Sequence, residues 1–354
     1  MSSYEETASK VDVLARARGI ANVMVSAAPE DGFDAEKILL DFNLLPAADM
    51  LAQYRAHMGT FDTLPIDPEG SKVRLYRGEW SIWSGFPGTG KTTFIRQMAC
   101  RCLQLLKAGE CVFIATLEQD PRWYLVEMAA TAAGVETATE EQMQSFLDTY
   151  GAQLKIWGKI GIASHKEIFA TVRHLAKTNG CRHAIIDSLM ALDIDSTDNE
   201  DQRQFANLVS ATARAFGVHI HLVAHPRKPL APDQAPNVWD IAGASDLGRL
   251  AFNVFFIRRG PDVVGFPDIS NMLLHVLKQR TSGLIGEQQA YFYRRQRQFH
   301  VDQHATHPTR YLPDAVYPET GIDEDVPEPL SRTNHAFRVE REPVPADVSR
   351  PWEI

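Results

Sequence analysis

The chain has 354 residues, 44% of them hydrophobic and 23% charged, the balance of a soluble globular protein with one large α/β domain and flanking segments, or two modest domains. Its net charge of −9 excludes a protein that coats nucleic acid with its whole surface, but not one that holds it in a confined basic groove or ring channel. No apolar run approaches the roughly 20 residues needed to cross a bilayer, and the polar, acidic start MSSYEETASK is not a secretory signal. The expectation is a cytoplasmic protein without a membrane partner. Cys100, Cys102, Cys111 and Cys181 show neither CxxC spacing nor a matching His pair, so they are expected as reduced thiols.

Residues 1–70 mix short helical patterns with turn signals. Ile38, Leu39, Phe42, Leu45, Met50, Leu51 and Tyr54 suit two short amphipathic helices broken near Pro46. TLPIDPEGSK then reads as a linker. From residue 71 to 302, strand-like runs alternate with helical ones. Strands are predicted at Trp80–Ser84, Cys111–Leu117, Ala184–Asp187, His219–Ala224, Asn253–Arg258 and Met272–Leu277. Helices are predicted at Thr92–Leu106, Lys166–Thr178 and Gln202–Phe216, with Gly109 and Gly217 where C-caps are expected. This alternation predicts a mostly parallel sheet flanked by helices. Residues 303–354 are proline-rich and acidic (Asp323, Glu324, Asp325, Glu328), too poor in aliphatics to offset ordering entropy, and are expected to be disordered.

Gly85-Phe-Pro-Gly88-Thr89-Gly90-Lys91-Thr92 satisfies GxxxxGK[ST] in full, after an apolar strand and before a helix. Glycines let successive N–H groups turn onto phosphates, and the helix N-terminus adds a favourable dipole. Lys91 is expected at the β- and γ-phosphates of ATP or another NTP, and Thr92 at Mg²⁺, with Thr93 beside it. Asp187, closing the run AIID, is expected to bind Mg²⁺ through water; a capping Asp is the plainer alternative. Glu118, directly after VFIATL, is the candidate base, with Asp120 its competitor. His225 ends HIHLVA, where it either meets the γ-phosphate and attacking water or is a satisfied strand-end residue. His219 and His221 read as packing residues, not metal ligands.

Together these motifs resemble the RecA-like motor domain of hexameric replicative helicases: the bacterial replicative helicase, phage primase-helicases and mitochondrial Twinkle. The resemblance rests on Ser84–Thr93, LEQD at 117–120, AIIDSL at 184–189, VAHPRKP at 223–229, Asp240-Ile-Ala-Gly-Ala-Ser245, and LKQRTSGLIG at 277–286. It implies a DNA-stimulated ATPase, phage-encoded, that forms a homo-hexamer or other ring and moves on single-stranded DNA. It makes Glu118 the catalytic glutamate and His225 the γ-phosphate sensor. Lys278 and Arg280 become a pair reaching the neighbouring subunit's nucleotide. Tyr293 is expected to stack on the base and Arg259 to contact it. The segment 227–245 resembles a central-channel DNA loop, with Arg227 and Lys228 tracking phosphates and Gly243 and Ser245 giving close backbone approach. Having few aromatics, it suggests backbone contact rather than base stacking. Asn22 to Tyr54 resemble the closing part of a primase catalytic fold, or form a linker or subunit-swapping region. The tail, ending in Trp352-Glu353-Ile354, resembles arms that contact a polymerase or single-strand-binding protein. A recombinase or regulatory ATPase on the same fold, and a non-catalytic nucleotide-binding adaptor, remain the alternatives.

Overall fold

The computed structural model describes residues 61–70, 72–195, 198–227, 234–241, 245–305 and 307–312. The helices and primase-like segment expected within residues 1–60, and the arm beyond residue 312, lie outside the described residues. The chain divides at residue 60 into two compact units, the second being Phe61–Ile354.

In chain order the elements of this second unit are β1 (Phe61–Thr63), β2 (Arg74–Tyr76), β3 (Trp80–Gly85), α1 (Lys91–Leu105), β4 (Cys111–Thr116), α2 (Pro121–Ala133), α3 (Glu140–Tyr150) and β5 (Leu154–Ile156). Next come α4 (His165–Asn179), β6 (Cys181–Asp187), α5 (Asn199–Phe216), β7 (His219–Ala224), α6 (Ser245–Leu250), β8 (Asn253–Asp262), β9 (Ile269–Gln279), β10 (Gly286–Tyr293) and β11 (Gln298–His300). Among the described residues, nine strands form one sheet in the order β11-β10-β9-β8-β3-β7-β6-β4-β5. From β8 to β5 neighbours run parallel, and from β8 to β11 antiparallel. The mostly parallel sheet read from the sequence is therefore present, extended by an antiparallel wing.

Strand β3 explains why the sheet needs cover on both faces. Trp80 and Ile82 belong to one apolar cluster, with Phe113, Phe169, Phe205 and Leu222. Trp83 points the other way, into a cluster with Phe94, Met98, Tyr124 and Phe146. A strand buried on both sides reads as a continuous apolar run, which is why such strands were legible.

The linker expectation for residues 63–72 is corrected by the fold. Leu64 and Ile66 are buried in the core beside α1, and β1 pairs antiparallel with β2. Burying each of these side chains is worth roughly 1.5–3 kcal/mol, so the segment packs despite its turn residues. Residues 307–312 likewise belong to the folded unit: Tyr311 and Leu312 are each 1% exposed, and Gln97 Nε2 donates to the Tyr311 hydroxyl at 3.1 Å. Gly217 caps α5 at φ 62, as expected. Gly109 does not cap α1, which ends on Leu106; it turns the chain into β4 at φ 81.

Beneath β1 lies a buried polar chain. Asp62 accepts from Arg182 Nε at 2.9 Å and pairs with its Nη2 at 2.9 Å. Trp83 Nε1 donates to His221 Nδ1 at 3.2 Å. An indole N–H only donates, so His221 carries its proton on Nε2 and donates to His183 Nδ1 at 3.1 Å. His183 Nε2 then donates to Asp62 at 3.1 Å. Cys102 lies beside these rings, and its Sγ and the two imidazoles come within 4.8 Å of one another. The ring nitrogens are committed to hydrogen bonds, and burial keeps the thiol protonated and His221 neutral. This geometry favours packing over metal ligation. Removing Asp62 takes from Arg182 its closest and most buried carboxylate, leaving Glu110 at 3.7 Å, and takes from His183 its acceptor. Asp62→Ala is expected to cost about 3–5 kcal/mol, read from the urea midpoint; a loss below about 1 kcal/mol would show that the network does not hold β1 in place.

Candidate nucleotide site

The site forms where β3, β4, β6 and β7 end, because parallel strands present their C-terminal ends at one edge. β3 runs directly into the glycine-rich loop, and the loop into α1. Gly85 is conformationally required: at φ 154, a Cβ there would lie 2.3 Å from the Ile257 carbonyl oxygen of β8. Gly90 opens α1 at φ 91 with no side-chain cap and no acidic residue in the first turn. By contrast, α2, α3 and α5 begin on Asp120, Thr139 and Asp198, whose side chains accept from first-turn N–H groups. The α1 terminus thus keeps its N–H groups and positive dipole end for an anion. Nothing lies within 4 Å of where a Gly88 Cβ would be. Uncapped donors, open space and a lysine fit a polyphosphate.

Lys91 is buried, its Nζ donating to the carbonyls of Gly85 at 2.7 Å and Phe86 at 2.9 Å. Burial lowers the pKa of this ammonium, while Asp187 and Glu118 oppose the shift. The Asp187 carboxyl is 6% exposed at the end of β6. Burial raises its pKa to about 6 against a hydrogen bond from Thr92, with Glu118 adding repulsion. The buried Asp187 carboxyl and the Thr92 hydroxyl joined to it offer oxygen donors that suit a hard divalent cation such as Mg²⁺.

Glu118 Oε1 accepts from the Ser188 hydroxyl and lies 3.8 Å from His225 Nε2. Both side chains are partly exposed, so water reaches this edge. Asp120, the competing base, is otherwise engaged: its Oδ1 accepts from the Arg122 backbone N–H at 2.8 Å. The Arg122 side chain holds that carboxyl well below the usual range. Its commitment to the α2 cap leaves Glu118 facing Asp187 and His225.

Behind Glu118 sit groups the sequence reading did not single out. Arg96, buried, pairs with Glu127 and donates to Gln119 Oε1 at 3.4 Å. Gln119 in turn donates to Glu127 at 2.9 Å, and Arg297 pairs with Glu127 at 3.0 Å. Arg96 lies four residues after Thr92 on α1, one turn along the same face, and that spacing was the available signal.

Beside the loop, a cavity of about 240 Å³ is lined by Gly88, Thr89, Gly90, Thr93, Arg259, Phe292, Arg294 and Phe299, among others. Arg259 is where a base contact was expected. Tyr293 is not among the lining residues. Its hydroxyl bonds to the Gln303 carbonyl and accepts from the Ala305 N–H at 3.0 Å. Side chains alternate along β10, so Phe292, one residue earlier, faces the cavity instead.

Lys278 and Arg280 lie away from this site. Lys278 sits opposite Val254, at the start of β8, while the loop begins beside Ile257 further along that strand. Lys278 Nζ donates to the carbonyls of Gly248 at 3.0 Å and Arg249 at 2.8 Å. Arg280 donates to the Arg249 carbonyl at 2.7 Å. Both cations thus sit on the C-terminal carbonyls of α6. Burial and the neighbouring guanidinium lower the Lys278 pKa to about 8. The Arg227 N–H donates to the Asp240 carbonyl at 2.7 Å, and Ser245 opens α6. Lys228 and Gly243 lie outside the described residues.

Residues 71–231 match the AAA domain family. No curated protein matches the sequence. Among solved structures, an ATPase domain is similar, with TM-score 0.59 and 17% identity over 76% of this chain and 99% of that one. A DnaB-like replicative helicase, described with its interactions with primase, is similar at TM-score 0.56 and 17% identity, over 84% of this chain and 77% of that one. No described helix is long and apolar enough to cross a membrane.

The folded carboxyl of Asp187 titrates near pH 6, against 3.8 unperturbed. The folded state therefore retains a proton that the unfolded chain releases first, and stability falls as pH rises from about 4 to 6. Asp187→Asn removes this dependence. Its urea stability relative to the parent is expected to rise by up to about 3 kcal/mol between pH 4 and 7; a pH-independent difference would refute the burial argument.

Proposed function

From a chain that matches the AAA domain family and has the fold of replicative-helicase ATPase domains, we propose an ATP-dependent, ring-forming helicase motor, phage-encoded, that moves on single-stranded DNA. The observation that carries this reading is the division of the site. Lys91, Thr92, Asp187, Glu118 and His225 gather at one edge of the sheet, while Lys278 and Arg280 sit towards the other end of β8. A subunit with this arrangement needs a neighbour to complete its site.

In this reading Lys91 and the first N–H groups of α1 bind the phosphates. Thr92 and Asp187 hold Mg²⁺, which when bound neutralises charge developing on the transferred phosphoryl. Glu118 takes the proton of the attacking water through Oε1 or Oε2, oriented by Ser188 and His225. Arg259 and Phe292 flank the base, with Tyr293 bracing the following loop. Arg280 and Lys278 of the adjacent copy meet the γ-phosphate; a planar, permanently charged guanidinium suits that task. His225 precedes the segment Arg227–Ser245, so phosphate state and DNA contact share one stretch of chain. Arg227, Lys228, Gly243 and Ser245 serve the DNA backbone, and residues beyond 312 a polymerase or single-strand-binding partner. Primase, named for one structural relative, is a further candidate.

Lys91→Ala and Glu118→Gln are expected to lose DNA-stimulated hydrolysis at least 100-fold, and Arg280→Ala about 1,000-fold. Mixing Lys91→Ala with Arg280→Ala should restore activity at roughly a quarter of the interfaces by random assortment in a closed ring. No recovery on mixing would sink the shared site. Open filaments by electron microscopy would replace the ring with a recombinase-type assembly. Unchanged function in the Lys91 and Glu118 variants would leave a nucleotide-binding adaptor.

A further inference from the structure

Trp239 has no role in this scheme, yet its indole is 61% exposed, with no ring or cation partner among the described residues. Exposure of so large a ring leaves a sizeable apolar face in water. The backbone under it is braced. Residues Val238–Asp240 form a short 3₁₀ turn capped at its start by Asn237, whose side chain accepts from the Trp239 N–H at 2.8 Å. Asp240 Oδ2 accepts from the Asn237 N–H at 2.7 Å, so this carboxylate is spent on the turn rather than offered outward.

The turn is also anchored on both sides. Pro236 and Ile241 are buried, and Pro226 bridges to Ile241. Val238 packs so closely on α6 that a Cβ at Gly248 would lie 2.6 Å from its Cγ1. Three arginines come from the chain that meets this turn. The Arg227 N–H is bonded to the Asp240 carbonyl, Arg249 follows Gly248, and Arg258 Nη1 donates to the Gln234 carbonyl at 2.9 Å. Arg227 and Arg249 are exposed.

An exposed aromatic face on a braced turn, with exposed arginines on the adjoining backbone, matches what single-stranded nucleic acid requires: a stacking platform for a base and cations for the flanking phosphates. We propose that Trp239 stacks on a nucleobase of the bound single strand, so its turn adds a base contact to the backbone contacts proposed above. This rests on the helicase reading and sharpens it, since backbone contact alone has no use for the ring.

The test uses the full chain with a non-hydrolysable ATP analogue, measuring fluorescence anisotropy on oligo(dT) and on an abasic strand of equal length. Oligomer mass is determined on the same samples. Trp239→Ala is expected to weaken oligo(dT) binding about 10-fold and leave abasic binding and the salt slope unchanged. Trp239→Phe should restore most of the loss. Equal weakening on both strands, no weakening, or a drop in oligomer mass overturns the proposal, the last by making Trp239 an interface residue. Failure of the parent protein to bind either strand would instead overturn the helicase reading itself.

Discussion

Asp187 occupies a position where ionisation is costly, and much of the site depends on how the fold meets that cost. The carboxyl lies at the end of a strand buried on both faces, so water cannot solvate it well. The Thr92 hydroxyl, the Lys91 ammonium and the Arg96 guanidinium, all on α1, oppose the burial. The dependence is mutual, since burial lowers the pKa of Lys91 and Asp187 opposes that shift. Two groups that are each destabilised alone are compatible side by side. The pairing requires β3 and β6 to end at the same edge with only β7 between them, and the glycine loop to fold back tightly enough to place Lys91 there. Gly85, pressed against the Ile257 carbonyl, leaves no room for another residue at the first step of that turn.

The same burial decides what was legible in the sequence. Doubly buried strands have few acceptable residues at successive positions, so β3, β4, β6 and β7 are mostly apolar despite Ser81, Arg182, His183, His219 and His221, and the candidate site residues lie at or just beyond their ends. Lys91, Thr92, Glu118, Asp187 and His225 could all be read this way. The antiparallel wing was less clear, because β10 mixes Gln288 and Gln289 with Tyr291 and Phe292 and is only partly buried along most of its length. That ambiguity produced the choice of Tyr293 where Phe292 faces the cavity. The Arg96–Gln119–Glu127–Arg297 cluster was hidden for another reason. Its members come from α1, from α2 and the loop before it, and from the turn before β11, and the Thr92–Arg96 spacing alone does not announce charges that meet only after folding.

The segment read as linker, and residues 307–312 at the start of the segment read as tail, are folded for a related reason. Proline, glycine and acid counts in residues 63–72 describe turn chemistry correctly, since Asp67 accepts from the Lys72 and Val73 N–H groups at 2.9 Å. They say nothing of Leu64 and Ile66, two apolar side chains that suffice to dock the turn on α1. Asp62 reinforces the docking through Arg182 and His183, a contact between residues some 120 positions apart that composition cannot reveal.

Helix α6 links the proposed DNA contact with the proposed contact to a neighbouring nucleotide. Gly248 meets Val238 of the Trp239 turn on one side, and the carbonyls of Gly248 and Arg249 hold Lys278 and Arg280. Those carbonyls carry the partial negative charge of a helix C-terminus, so they hold the two cations without a carboxylate. Such an arrangement is strong enough to orient a guanidinium and weak enough to release it to a phosphate, which offers a full negative charge. If Arg280 moves to a neighbour's phosphate, α6 loses a contact at its end and the turn packed on it is free to shift. A short helix of six residues is suited to this task because it has little stability beyond its packing. Nucleotide state in one subunit and grip on DNA in the next would then be coupled through contacts that a single chain already contains.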